Sequence, residues 1–273
     1  MPILHAIVLG IVQGLSEFLP ISSSGHLVLV PWLFDWDDFA GDEGLQKTFD
    51  VALHIGTLAG VLAYFRKDLW RLTVDGLTKP KSKEGRLAWW IVASSVPAAI
   101  TGALFSDFIE EELGQIWLIA TMLIVFGGVL YLADRRPAGR PVDEVRFRDV
   151  MLMGAGQAVA LQPGVSRSGV TMSAGRFAGL DRDAAARIAF LMSVPITGGA
   201  VLFKALDAFG SDGTGIPDGF APAFAWGIVA SAVTGFAAVW GTLRLIRTKT
   251  FTPFVVYRVA AGAFVLLVYA IRG

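Results

Sequence analysis

No cysteine occurs in the 273 residues, which excludes disulfide scaffolds, zinc-thiolate sites and cysteine nucleophiles. Charge is also scarce. Asp, Glu, Lys and Arg make up 17% of the chain, against about 25% in an ordinary soluble domain. The 23 basic and 23 acidic residues cancel, and a pI near 6.8 gives no support for nucleic acid as a partner. The three histidines are too far apart in sequence for a local HxxxH pair. No GxxxxGK(S/T) string is present, so there is no P-loop, and "GVSRSG" has the wrong spacing for a nucleophile elbow. What the chain has is apolar bulk: 54% hydrophobic residues and a mean hydropathy of +0.61. That balance excludes a disordered chain and leaves too little charge to cover a water-facing surface. An integral membrane protein remains.

A helix needs about 20 mostly apolar residues to cross the hydrocarbon core. Six stretches qualify, at 47–65, 87–105, 115–133, 186–206, 223–243 and 253–271. Two further apolar segments are interrupted. Residues 4–34 contain Pro20 and Ser22-Ser23-Ser24-Gly25, and residues 150–180 contain Pro163-Gly164 and Ser166-Arg167-Ser168-Gly169. Each reads as two half-helices around a polar turn, a re-entrant hairpin whose broken backbone must be satisfied by protein or a wet cavity. The expected fold is therefore all-α and polytopic, with six transmembrane helices plus two re-entrant hairpins. A cleaved signal peptide is not expected, because the first residues carry no Lys or Arg, no A-x-A site follows, and Glu17 interrupts the apolar run.

Loop charge gives an orientation. Basic residues collect in 66–86, 134–148, 176–187 and 244–249, which hold 18 of the 23; unpaired acidic residues collect in 35–43, 107–112 and 207–218. The Lys/Arg bias places the first group in the cytoplasm. The two groups alternate only if both hairpins enter and leave on one side. Both termini and the acidic loops are then outside.

The chain also repeats itself. Gly10-x-x-Gln13, Pro20 and the serine turn at 22–25 recur as Gly154-x-x-Gln157, Pro163 and the turn at 166–169, and Ile91-Val92-Ala93-Ser94 recurs as Ile228-Val229-Ala230-Ser231. The expectation is a single membrane domain of two halves, about 1–135 and about 149–273, each one hairpin plus three spans. Three spans reverse the starting side, so the halves are inverted, a transporter-like design in which broken segments point to a site near the midplane.

Ionisable groups within apolar segments are costly and are functional candidates by default. Here they are Glu17, His26, Asp50, His54, Arg167 and Arg258. Lys47 and Lys204 read as span-end lysines that snorkel, and His5 as a partly exposed histidine with little claim to a role. Gln13 and Glu17 share a helical face, and Ser23 and His26 follow in the turn, so a hydroxyl, an imidazole and a carboxylate meet in one hairpin, as nucleophilic displacement requires. The competing reading makes Ser22, Ser23 and Ser24 helix caps, which leaves Glu17 and His26 unexplained. In the second turn, Ser166, Ser168, Gly169 and Thr171 offer hydroxyls and the free N–H groups of a helix start, and Arg167 adds a planar cationic fork. The competing reading here is an Arg167–Glu17 clamp between the halves. An anion cradle beside a nucleophile set points to phosphate chemistry at a membrane. An anionic-lipid flippase or carrier is the alternative class; it would need no nucleophile.

At these clusters the chain resembles the bacterial undecaprenyl pyrophosphate phosphatase family, also called the bacitracin-resistance protein family. The family pattern is (E/Q)xxxE with a Ser- and His-containing turn, then PGxSRSxxT. This sequence has Gln13-x-x-x-Glu17, "SSSGH" at 22–26 and "PGVSRSGVT" at 163–171, with "FDVALHIGTL" at 49–58 and "PFVVYR" at 253–258. The resemblance implies hydrolysis of undecaprenyl pyrophosphate to undecaprenyl phosphate, recycling the lipid carrier of peptidoglycan synthesis, at the outer face of the plasma membrane. It implies a divalent cation, Mg²⁺ or Ca²⁺, and leaves room for a homodimer. Ser23 is then the candidate nucleophile, His26 its acid–base partner, Gln13 and Glu17 the metal or pyrophosphate–metal site, and Ser166, Arg167, Ser168 and Thr171 the phosphate cradle. Gln13 stands where many members carry Glu and offers only a neutral oxygen, so Asp50 is the candidate second carboxylate. His54 and Arg258 are candidate supporting or phosphate contacts. Other lipid phosphatases use a histidine nucleophile, but no His follows Arg167 here.

Overall fold

The computed structural model describes residues 1–272 except 138, 210–215 and 218, and the side chains of 106, 107, 110, 111 and 204–209 are not described. The side chain of Lys204 and most of the acidic run 207–218 therefore lie outside the described residues, as do the side chains of Asp107, Glu110 and Glu111. Among the described residues the structure is helical, with one isolated β-bridge between Arg140 and Leu180. In chain order the helices are α1 (Ile3–Phe18), α2 (Ser23–Phe34), α3 (Glu43–Thr78), α4 (Lys83–Ser94), α5 (Val96–Glu111), α6 (Ile116–Asp134), α7 (Phe147–Val159), α8 (Arg167–Phe177), α9 (Arg182–Phe209), α10 (Ala221–Ile246) and α11 (Thr252–Arg272).

Among the described residues six segments are long and apolar enough to cross a membrane: α3, α4 running into α5, α6, α9, α10 and α11. They coincide with the six stretches expected from hydropathy. The chain is an all-α polytopic membrane protein. The remaining four helices form the two interrupted segments. At 1.5 Å per residue, the 12 residues of α2 and the 11 of α8 reach about 18 Å, well short of the roughly 30 Å hydrocarbon core.

Two differences from the expected elements have clear causes. The basic stretch 66–86 is mostly helix: α3 bends at Phe65 (φ −91°, ψ 15°) and continues to Thr78, leaving only four residues before α4. The span at 87–105 is broken at Ser95, with Pro97 in the first turn of α5; Pro97 cannot donate to the carbonyl four residues back.

Without water between them, helices in lipid associate through close backbone approach. Small residues supply it where α1 and α3 meet α10. A Cβ at Gly10 would lie 2.5 Å from the Gly227 carbonyl oxygen, and one at Gly56 would lie 2.4 Å from the Ile228 oxygen. This packing fixes α1, and with it Glu17, against α3. At the opposite end, Arg140 pairs with Asp149 at 2.8 Å and Arg182 with Asp134 at 2.5 Å, while Asp134 also accepts from the Phe251 N–H at 2.9 Å. The first contact braces the entry to α7, and the Asp134 contacts tie the start of α9 to the end of α6 and the approach to α11.

Candidate active site

Both polar turns are built around a serine in a backbone region that L-residues rarely occupy. Ser22 has φ 78° and ψ 96°; Ser166 has φ 75° and ψ 110°. Such conformations cost about 1–3 kcal/mol and persist where surrounding contacts over-determine them. Each serine caps the helix that follows: Ser22 Oγ accepts from the Gly25 N–H at 3.4 Å, and Ser166 Oγ from the Gly169 N–H at 3.2 Å. The two turns touch. The Gly164 N–H donates to Ser22 Oγ at 3.0 Å, and Ser168 Oγ donates to the Leu19 carbonyl at 3.0 Å.

Arg258 of α11 locks this junction. Its Nη1 donates to the Pro20 carbonyl at 3.1 Å, its Nη2 to those of Gly164 at 2.8 Å and Val165 at 3.1 Å, and its Nε to Leu123 on α6 at 3.0 Å. The side chain is fully buried. Its donors are spent on backbone oxygens, so Arg258 sits behind the turns, a geometry that suits the supporting contact of the two roles expected for it. Ser166 and Ser168 are likewise occupied by capping and turn-to-turn bonds, and Thr171 donates to the Arg167 carbonyl at 2.6 Å. Of the second turn, Arg167 alone lines the cavity described next.

That cavity measures about 360 Å³ and lies between the turns, α3 and α9. At its floor Glu17 is buried yet accepts from Arg167 Nη2, from Ser23 Oγ and, at 3.3 Å, from Gln13 Nε2. The inter-turn ion pair expected as the competing reading is therefore present, and both partners also face the cavity. Arg167 Nη1 donates to Thr197 Oγ1 on α9 at 2.6 Å. From α3, Lys47, Asp50 and His54 line one wall, spaced to share a helical face. His54 Nδ1 donates to the Asp50 carbonyl at 2.7 Å, which leaves Nε2 as the basic nitrogen, 3.9 Å from Glu17 Oε2.

His26 is placed differently from the expectation. Its Nδ1 donates to the Ser22 carbonyl at 2.7 Å, so its Nε2 accepts from Tyr257 OH at 2.7 Å, with the two rings stacked. Both nitrogens are committed on the far side of α2, and His26 does not line the cavity. Ser22, Ser23 and Ser24 do. Lys47 and Thr197 are cavity residues that motif reading missed. The Lys47-x-x-Asp50-x-x-x-His54 spacing was a usable signal for the first; nothing in the sequence marked the second. His5, given little weight, bonds Asp38 at 2.9 Å and stacks on Trp36, remote from the cavity.

A divalent cation at this site would find only a partial set of protein donors. Among the described residues no three His, Asp or Glu side chains converge into a metal cluster. Gln13 Oε1, however, is buried with no hydrogen-bond partner beside Glu17, and Asp50 faces the same cavity. One or two carboxylates completed by phosphate oxygens and water is how Mg²⁺ commonly binds, and Glu17 and Asp50, with Gln13 Oε1 beside Glu17, fit that mode.

Comparison with known proteins bears on the same residues. The family model for bacitracin resistance protein BacA matches residues 6–264. Relatives named undecaprenyl-diphosphatase include those of Geobacter sulfurreducens, 47% identical over 273 residues and covering 97% of this chain and 98% of the relative. Those of Moorella thermoacetica and Desulforudis audaxviator are each 44% identical, covering 100% of both chains and 98% of both chains respectively. Both motif turns and every residue lining the cavity fall inside the matched region, and the chain belongs to the bacitracin resistance protein BacA family.

Proposed function

We propose that this protein is a membrane undecaprenyl-diphosphatase, releasing the terminal phosphate of undecaprenyl diphosphate as inorganic phosphate and leaving undecaprenyl phosphate. The observation that carries the reading is the Ser23–Glu17–Arg167 constellation at the floor of a cavity inside a membrane-spanning bundle. A hydroxyl, a base already bonded to it and a cationic fork are the parts that phosphoryl transfer needs.

In the resting site Arg167 is held by Glu17 and Thr197. An arriving diphosphate competes for that guanidinium and draws it onto phosphate oxygens, which frees Glu17 to serve Ser23. Ser23 Oγ then attacks the terminal phosphorus and its proton passes to Glu17. The bond to the bridging oxygen breaks, and undecaprenyl phosphate leaves. Water hydrolyses the phosphoserine, giving inorganic phosphate and restoring the Ser23 hydroxyl. His54, with Nε2 turned toward Glu17, is the histidine placed to exchange protons in this cycle; His26 orients the first turn through Ser22. Catalysis rests on positioning and on charge stabilisation in a site of restricted solvent. A divalent cation would be held by Glu17, Gln13 Oε1 and Asp50, and when bound it supplies neutralisation of diphosphate charge.

The chain is read as two inverted halves, supported by the matching backbone and capping of Ser22 and Ser166. Basic loops face the cytoplasm, so the cavity, bounded by the first half of α3, opens toward the outer face. The test is phosphate release from undecaprenyl diphosphate by purified protein, with Mg²⁺ or EDTA, alongside S23A and R167A. Metal-dependent release that both variants lose supports the reading. No release from folded, lipid-binding protein overturns it in favour of a carrier.

A further inference from the structure

The cavity is two-faced. The serine turn and the Lys47–Asp50–His54 face of α3 are polar, whereas the remaining wall, Ala160 at the end of α7 with Ile196, Ala200 and Val201 of α9, is apolar. A hydrocarbon chain cannot lie against ion-paired walls without desolvating them, so it takes the apolar side. Small side chains at 160 and 200 leave width there. Immediately beyond, Leu202 and Phe203 are 62% and 72% exposed, so the wall is continuous with the surface that α9 offers to lipid.

From this we infer that the isoprenoid tail of the substrate leaves the site across the wall of Ala160, Ile196, Ala200 and Val201, and that this wall sets the preference for a long chain. The inference rests on the diphosphatase reading. The diphosphate sits at Arg167 and Ser23, and the first isoprene units pass between α7 and α9 into the bilayer, so the lipid need not be extracted from the membrane to react. Ala200 is exposed, so enlarging it fills the passage without disturbing the core.

The experiment has two arms. In the first, A200W is assayed with undecaprenyl diphosphate and with isopentenyl diphosphate, whose five carbons have far less apolar surface to lay on the wall. The ratio of kcat/KM for the long over the short substrate should fall about tenfold or more, the scale on which a pocket discriminates by a few methylenes. In the second, photoreactive benzoylphenylalanine is placed at Val201 or, as a control, at Val125, an exposed position on α6, and radiolabelled undecaprenyl diphosphate is the probe. Crosslinking at 201 well above that at 125 supports the passage and does not depend on activity or on A200W folding. Equal crosslinking at both positions, or an unchanged substrate ratio in folded A200W, overturns it. Crosslinking at 201 with no phosphate release from the parent protein sinks the diphosphatase reading and keeps the tail path.

Discussion

Replacing Arg258 by Met would leave the Pro20, Gly164 and Val165 carbonyls without their donor in an apolar interior. Each such orphan costs about 1–3 kcal/mol. R258M should therefore lower stability by about 3 kcal/mol or more, read as an earlier thermal transition in detergent, and activity should fall with it because both turns lose their anchor. Arg167 should behave in the opposite way. R167K keeps a charge but loses the fork that serves Glu17 and Thr197 together. We expect kcat/KM to drop about 10²-fold, the usual cost of removing an oriented donor from a transition state, with little change in the thermal transition. An R167K variant as active as the parent would remove Arg167 from the chemistry. The sequence showed both arginines to be costly and therefore important, since each lies in an apolar segment. It left Arg258 between a supporting and a phosphate contact, because that depends on which oxygens lie within reach after folding. The same limit separated the two histidines: His26 sits in the motif, yet its ring is turned to Tyr257, while His54 on α3 faces the cavity.

At the scale of the element, Gly164 is the position where the second turn has least freedom. Its φ is 91°, and a Cβ there would lie 2.4 Å from the Ile119 carbonyl oxygen. G164A should push the turn off α6 and disturb its bond to Ser22, costing at least about 2 kcal/mol. Gly128, with nothing within 4 Å of its Cβ position, is the control, and G128A should leave stability and phosphate release near the parent values. Comparable effects of the two would mean that the turn geometry is not constrained as described. Elements of this kind were unevenly legible. The six spans and the two interrupted segments were readable because lipid demands long apolar windows and because Pro and Gly mark breaks. The helical continuation of α3 through 66–78 was not, since Arg66, Lys67 and Asp68 end an apolar window without ending a helix. The tail of α3 keeps apolar residues such as Leu69 and Leu72 packed on the core, and charge beside such a face is what an interfacial helix carries.

For the whole molecule, α3 decides how the bundle must sit. Its 36 residues extend about 54 Å, far more than the hydrocarbon thickness, so part of it must emerge. The charged cluster Arg66, Lys67, Asp68 and Arg71 follows the bend at Phe65, and burying it in lipid would cost several kcal/mol. The stretch beyond Phe65 is therefore the emerging part, and the Lys/Arg bias predicts that it emerges in the cytoplasm. The start of α3, with Asp42 capping it, is then predicted to be outside, on the side from which Lys47, Asp50 and His54 enter the cavity. The absence of cysteine makes this directly testable, because a single introduced thiol is the sole reporter. In intact cells a membrane-impermeant maleimide should label a D42C variant and spare K81C, and opening the cells should expose K81C. Labelling in the reverse order would turn the molecule over. The reacting groups would then face the cytoplasm, and the lipid would have to be delivered from that leaflet.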